Sequence, residues 1–239
     1  MSYPAFNFEN RLPSIRVTKD FLGALERYLL KKVVEVGMVD EDKALSCIEI
    51  KIEDSLGSER LSSISQFESS RFSDSTSRIE IEFERPYIGD GKRLKIRLNF
   101  TKNRLFTSLA ISASAPNARE LVLGLRDGIL RTIEPQNTWH WIFHPNAAIS
   151  GLIFGGGVIL GVQMFRIGPT DPSQLFVTGG FIFVWIYLFL LGTWFPYTGF
   201  DSKSAERAGK IFNWLLTGVA TFLVFGTLFT MLRRPLLGF

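Results

Sequence analysis

Three apolar runs in the last third of the chain limit what it can fold into more than any other feature. Ala147–Phe165, Leu175–Phe195 and Trp214–Leu232 contain no Asp, Glu, Lys or Arg. Runs of about 19 to 21 residues, rising about 1.5 Å per residue, make helices of about 28 to 32 Å, close to the roughly 30 Å of a bilayer's hydrocarbon core. The chain therefore reads as an α+β soluble domain followed by an all-α transmembrane region of three helices. The expected divisions are an extended arm at 1–17, the soluble domain at 18–135, an aromatic neck at 136–146 and the transmembrane region at 147–239.

Charge is distributed in keeping with that division. Residues 1–145 hold 21 Lys and Arg against 20 Asp and Glu, and the remainder holds 6 against 3. The soluble part thus lacks the overall basic bias of many nucleic-acid binders, and no nucleic-acid partner is expected. Basic residues beside apolar runs instead bear on orientation. Arg126, Arg131, Lys203, Arg207 and Lys210 fall on the domain's side of three spans, and Arg166, Arg233 and Arg234 on the other. That excess favours an integral membrane protein of a cell inner membrane, with the domain in the cytoplasm. The first 30 residues have no apolar core of signal-peptide length, so the first span is expected to act as the insertion signal.

Within the domain, Thr18 reads as an N-cap with Asp20 in the first turn. Phe21, Leu22, Leu25, Leu29, Val33 and Val36 then form one apolar helical face over 19–36, and Gly37 is the expected stop. Strict alternation predicts strands at Ile48–Glu53, Ile79–Glu84 and Leu94–Phe100, and a fourth is expected at Leu105–Ala113. An antiparallel hairpin of the second and third strands would set Glu80, Glu82 and Glu84 opposite Lys95 and Arg97, worth about 0.2–1 kcal/mol per pair. Ser55–Ser77 is Ser-rich and expected to be a long loop. Leu121, Leu125, Ile129 and Ile133 predict a second helix over 117–133. The expected order is α-β-β-β-β-α, with an antiparallel sheet, two helices on one of its faces and a charged face left free for a protein partner.

The neck carries Trp139, Trp141 and Phe143, which with Trp194 and Trp214 fit an interfacial aromatic belt. His140 and His144 are four apart, as a helical metal pair would be, but they are the only histidines and Pro145 interrupts the spacing; no metal site is expected. The first span holds Gly151 and Gly155, then Gly157 and Gly161, two small-xxx-small pairs suited to close helix packing. They serve equally to pack the chain's own spans or to join chains into a homo-oligomer. The single cysteine, Cys47, excludes an intrachain disulfide. Gly-rich phosphate loops, nucleophile elbows, zinc-protease signatures and Cys/His clusters are all missing from the sequence, so no catalytic residue and no cofactor is expected.

The reading that follows is a non-enzymatic, membrane-anchored cytoplasmic recognition or sensor domain that binds a protein or small ligand, with the lipid bilayer as its other partner. The alternative is an oligomeric membrane effector, pore-forming or membrane-perturbing, gated by its domain. An enzyme at the membrane face, using the Ser-rich loop or the neck histidines, ranks third.

Overall fold

The computed structural model describes residues 3–85, 91–166, 173–207, 209–210, 214, 217–218 and 221. The chain divides into a unit ending at Asp201 and a second unit from Ser202. In the second, the Lys210 ammonium pairs with Glu206 at 2.7 Å across one helical turn.

The first unit opens with strands β1 (Ala5–Arg11) and β2 (Ile15–Val17), then helix α1 (Lys19–Glu35). The Thr18 hydroxyl accepts from the Phe21 amide at 3.1 Å and so caps α1 as its residue type suggests. Gly37 takes φ +65°, and the Met38 amide reaches back to the Val33 carbonyl at 3.0 Å, closing the helix end. A short helix α2 (Glu41–Ala44) leads to strands β3 (Ile48–Asp54), β4 (Gly57–Leu61), β5 (Arg78–Glu84), β6 (Arg93–Thr101) and β7 (Ser108–Ser114), followed by helix α3 (Ala118–Ile133).

These strands form one antiparallel sheet in the order β1-β7-β6-β5-β3-β4. Alternation decides its faces. Ile48, Ile50, Ile52, Ile79, Ile81, Phe83, Leu94, Ile96, Leu98 and Phe100 are buried, on the side where α1 and α3 pack. The Phe21 ring of α1 meets Phe100 edge-on at 6.0 Å between centroids. An α+β domain built on an antiparallel sheet is therefore what the chain forms.

The sheet has six strands rather than the expected four. The two additions are its edges, where half the backbone partners are missing and little apolar surface is needed. β1 comes from the segment expected as an arm. β4 comes from the segment expected as a loop, where the Asp54 carboxylate accepts from the Leu56 and Gly57 amides at 2.8 and 3.1 Å and turns the chain. The fourth expected strand starts at Ser108 rather than Leu105; Arg104–Phe106 is a 3-10 turn.

Beyond α3 the neck winds as a 3-10 helix, Trp139–Phe143, into helix α4 (Ala147–Arg166). Helix α5 (Ser173–Trp185) follows, then a π-helical segment Ile186–Leu191 and a last turn α6 (Gly192–Trp194). Among the described residues one helix, over Ala147–Met164, is long and apolar enough to cross a membrane, and few of its residues are buried within the chain. The second expected span is helical from Ser173 to Trp194 with the π segment inside it, and its apolar helix over Val177–Phe189 is shorter than a full span. The third expected span falls largely outside the described residues.

The chain then returns to the domain. Strand β8 (Thr198–Phe200) pairs in parallel with β2, with Ile15 opposite Thr198 and Val17 opposite Phe200.

Candidate functional site

Two surfaces of the domain and the junction below it concentrate the polar groups. The first is the open sheet face. The residues between the buried ones on β3, β5 and β6 all point to this face, and no described element packs over them. β3 and β5 set Glu49 directly opposite Glu82, a like-charge pair that would oppose folding unless screened. Arg60 answers Glu49 at 3.4 Å, and Lys95 reaches both Glu82 and Glu84 at 2.5 and 2.6 Å. Arg97 bridges Glu80 and Glu82 at 3.2 and 3.3 Å, Arg78 adds a 3.1 Å contact to Glu80, and Lys51 pairs with Glu53. The expected cross-strand pairing is present, with Glu82 opposite Arg97 and Glu84 opposite Lys95.

Burial pushes the Glu82 carboxyl up, yet the hydrogen bond from Lys95 and the charges of Arg97 and Lys95 outweigh it and hold Glu82 below the ordinary carboxylate range. The Lys51 hydrogen bond does the same for Glu53. A carboxylate held ionised between cations is a poor general acid. Among the described residues no group of three or more His, Cys, Asp or Glu is placed to hold a metal. The face presents fixed stripes of alternating sign, which suits recognition.

The second surface is a cleft of about 630 Å³ between α1 and α3, lined by Tyr28, Lys31, Glu35, Asp127, Gly128 and Arg131 among others. Gly128 makes room for the Tyr28 ring: a Cβ there would sit 1.7 Å from the phenol oxygen. Lys31 and Lys32 lie 3.8 and 3.1 Å from Glu35. The cleft was missed in the sequence. Its signal is the Gly124-xxx-Gly128 spacing in an otherwise apolar and charged helix, the mark of one helix letting another side chain in.

The third is the junction. His140 Nδ1 lies 3.0 Å from the Pro196 carbonyl and His144 Nε2 2.8 Å from the Phe195 carbonyl. A carbonyl only accepts, so each ring donates through that nitrogen. The two histidines therefore grip backbone across the junction rather than converging on an ion. Phe195 stacks on Phe143 at 4.9 Å and packs beside Trp139 at 5.8 Å. Of the expected belt, Trp139 and Phe143 thus join one cluster, and Trp139, Trp141, Trp194 and Trp214 are all exposed. No local pattern marks Tyr197, whose hydroxyl donates to the Leu12 carbonyl at 2.9 Å, or Arg104, which donates to the His144 carbonyl at 2.6 Å.

The glycines of α4 separate into two roles. A Cβ on Gly157 would meet Val184 at 2.7 Å and one on Gly161 would meet Phe181 at 3.1 Å, so this pair packs against α5. Gly151 and Gly155 have no described atom within 4 Å of a Cβ position.

Comparison with protein-family models, curated proteins and solved structures finds no match for this chain.

Proposed function

We propose that this chain is a non-enzymatic recognition module, anchored in a membrane by its C-terminal helices, that binds a protein partner on the open face of its sheet. One observation carries the reading: paired, ordered charge across the open face of β3, β5 and β6, with no described helix packed over it. Charges already neutralised in pairs bind other proteins by matching a pattern of sign, with little attraction for polyanions in general. The anchor is proposed as spans near 147–165, 175–195 and 214–232, with the domain in the cytoplasm of a cell inner membrane. The length and apolarity of α4 support it.

Site-specific photo-crosslinking in intact cells tests the proposal. A crosslinker at Ser112, on the open face, should give a discrete adduct that Arg97→Glu removes, whereas one at Arg119, on α3, should not. Absence of any adduct from the sheet face, or adducts indifferent to Arg97→Glu, would refute partner binding there.

A second reading, self-association through the first span, is favoured by Gly151 and Gly155, which have no described atom within 4 Å of a Cβ position. It predicts that Gly151→Leu abolishes inter-chain crosslinks in detergent, whereas Gly157→Leu disturbs the α4–α5 pair instead. A strictly monomeric mass for the unsubstituted chain in native spectrometry would remove it.

A further inference from the structure

Large apolar side chains stand exposed at one end of the sheet. Leu105 and Phe106, in the turn between β6 and β7, are each 61% exposed. Burial cannot explain apolar residues at that turn, where the usual choice is a polar or small residue. Leu56, in the β3–β4 turn, is 93% exposed. The register puts both turns at the same end: β3 ends at Asp54, β5 begins at Arg78 and β6 ends at Thr101, each strand running opposite to its neighbour.

That end is also where the chain leaves for α4. Arg104 holds the His144 carbonyl, and the Tyr197 amide donates to the Lys102 carbonyl at 3.1 Å. His144 precedes the first residue of α4 by three positions, so the carbonyl that Arg104 holds lies within about 10 Å of the helix start even if the chain between is fully extended, and the turn's backbone lies one arginine side chain farther. The turn is held rigidly: Asn103 accepts from the Leu105 amide at 2.9 Å, and Asn99 donates to the Phe106 carbonyl at 2.7 Å. The exposed Trp141 and Ile142 of the neck complete the apolar rim, and Arg11, at the end of β1, adds a cation suited to phosphate headgroups.

We propose that this end of the domain docks on the bilayer surface, with Leu105 and Phe106 inserted at the boundary between headgroups and acyl chains. The proposal rests on α4 spanning the membrane. α4 has 20 residues, about 30 Å of helix and so a full hydrocarbon core. A turn tied by one arginine side chain to a point within about 10 Å of its start is placed to reach the interfacial layer, where exposed apolar tips leave water and their backbones stay wet. The docked turn fixes the orientation of the domain against the membrane, which a neck alone would leave free.

Spin labels on the full chain in nanodiscs of phosphatidylcholine and phosphatidylglycerol test this. Phe106→Cys, Glu120→Cys at the far end of the domain and Ile159→Cys in α4 are labelled separately. Cys47 is buried, and the unsubstituted chain serves as the blank. Relative to a water-soluble nickel chelate, oxygen should collide more with the labels at 106 and 159 than with the label at 120. A label at 106 as wet as the one at 120, with 159 remaining in hydrocarbon, overturns the docking and leaves the anchor standing. A wet label at 159 overturns the anchor itself, and the docking with it.

Discussion

Replacing Gly128 with Ala sets two effects of known sign against each other. Alanine is favoured over glycine inside a helix by about 0.8–1 kcal/mol. At position 128, however, the new methyl would lie 1.7 Å from the Tyr28 phenol oxygen and 2.2 Å from its Cζ, far inside the roughly 3.5 Å of ordinary contact. The ring must swing by about 2 Å into the cleft. Forcing a methyl into a filled site costs about 1–3 kcal/mol, so the helix gain is cancelled and the net loss should be about 0–2 kcal/mol. One turn earlier, Gly124 has no described atom within 4 Å. Gly124→Ala keeps only the helix gain and should stabilise by about 1 kcal/mol.

Urea unfolding of the full chain in detergent, followed by far-UV circular dichroism, measures both. The decisive comparison is Gly128→Ala in a Tyr28→Ala background, where the obstacle is gone and the substitution should turn stabilising. A second readout comes from the phenol. Burial raises the Tyr28 pKa above its ordinary value, and expulsion of the ring should bring it back down. If Gly128→Ala stabilised the unsubstituted chain as much as Gly124→Ala, or if removing Tyr28 left its cost unchanged, the packing argument would be wrong.

Three further outcomes follow. Glu82 and Glu53 have folded pKa values below the ordinary 4.5, so the unfolded chain binds protons first as pH drops; their contribution is complete above about that value and is lost as pH falls through the folded values. Acid unfolding should therefore be less steep in Lys51→Met and Lys95→Met, and identical curves would contradict this. Burial lowers the pKa of His140 from 6.5, so the junction should lose stability as pH falls below about 6.5; tryptophan emission should follow that loss, and His140→Gln should abolish the step. Thr18→Ala removes the cap of α1 and should cost about 0.5–2 kcal/mol, read from the urea midpoint, with Thr18→Ser nearly neutral.

Legibility in the sequence tracked burial. β3, β5 and β6 are central strands with one wet face, so their alternation is strict and their register followed from charge. β1 and β4 are edges. Ala5–Arg11 is flanked by prolines and alternates only Phe6 and Phe8 with polar residues before Asn10 and Arg11, and Gly57–Leu61 has a single apolar residue, so neither shows the long alternation of a central strand. Leu105 fits the apolar face of a strand in sequence, whereas it is an exposed tip of the 3-10 turn before β7. The two glycine pairs of α4 look alike in sequence; only the arrival of Val184 and Phe181 distinguishes them. β8 is three residues long and exists because β2, far away in the sequence, offers it an edge, which no local pattern encodes.

That last strand bears on how the chain is anchored, through one serine. Ser14 is buried; its hydroxyl donates to the Tyr197 carbonyl at 2.8 Å and lies 2.7 Å from the Thr138 hydroxyl, while its carbonyl accepts from the Thr138 amide at 2.8 Å. Thr138 begins the excursion through α4 and α5, and Tyr197 ends it. Both ends are therefore held at one point on the domain, so whatever surface the helices enter, the chain leaves on the side where it came in. Ser14→Ala keeps the backbone bond but removes the hydroxyl's hydrogen bonds to Tyr197 and Thr138, at a cost of about 1–3 kcal/mol. Because the loss is local, amide exchange at Thr138 and Asp201 should quicken by roughly 5- to 150-fold, with the central strands unchanged. Exchange that quickened equally in β5 and β6, or nowhere, would mean that Ser14 does not join the two ends.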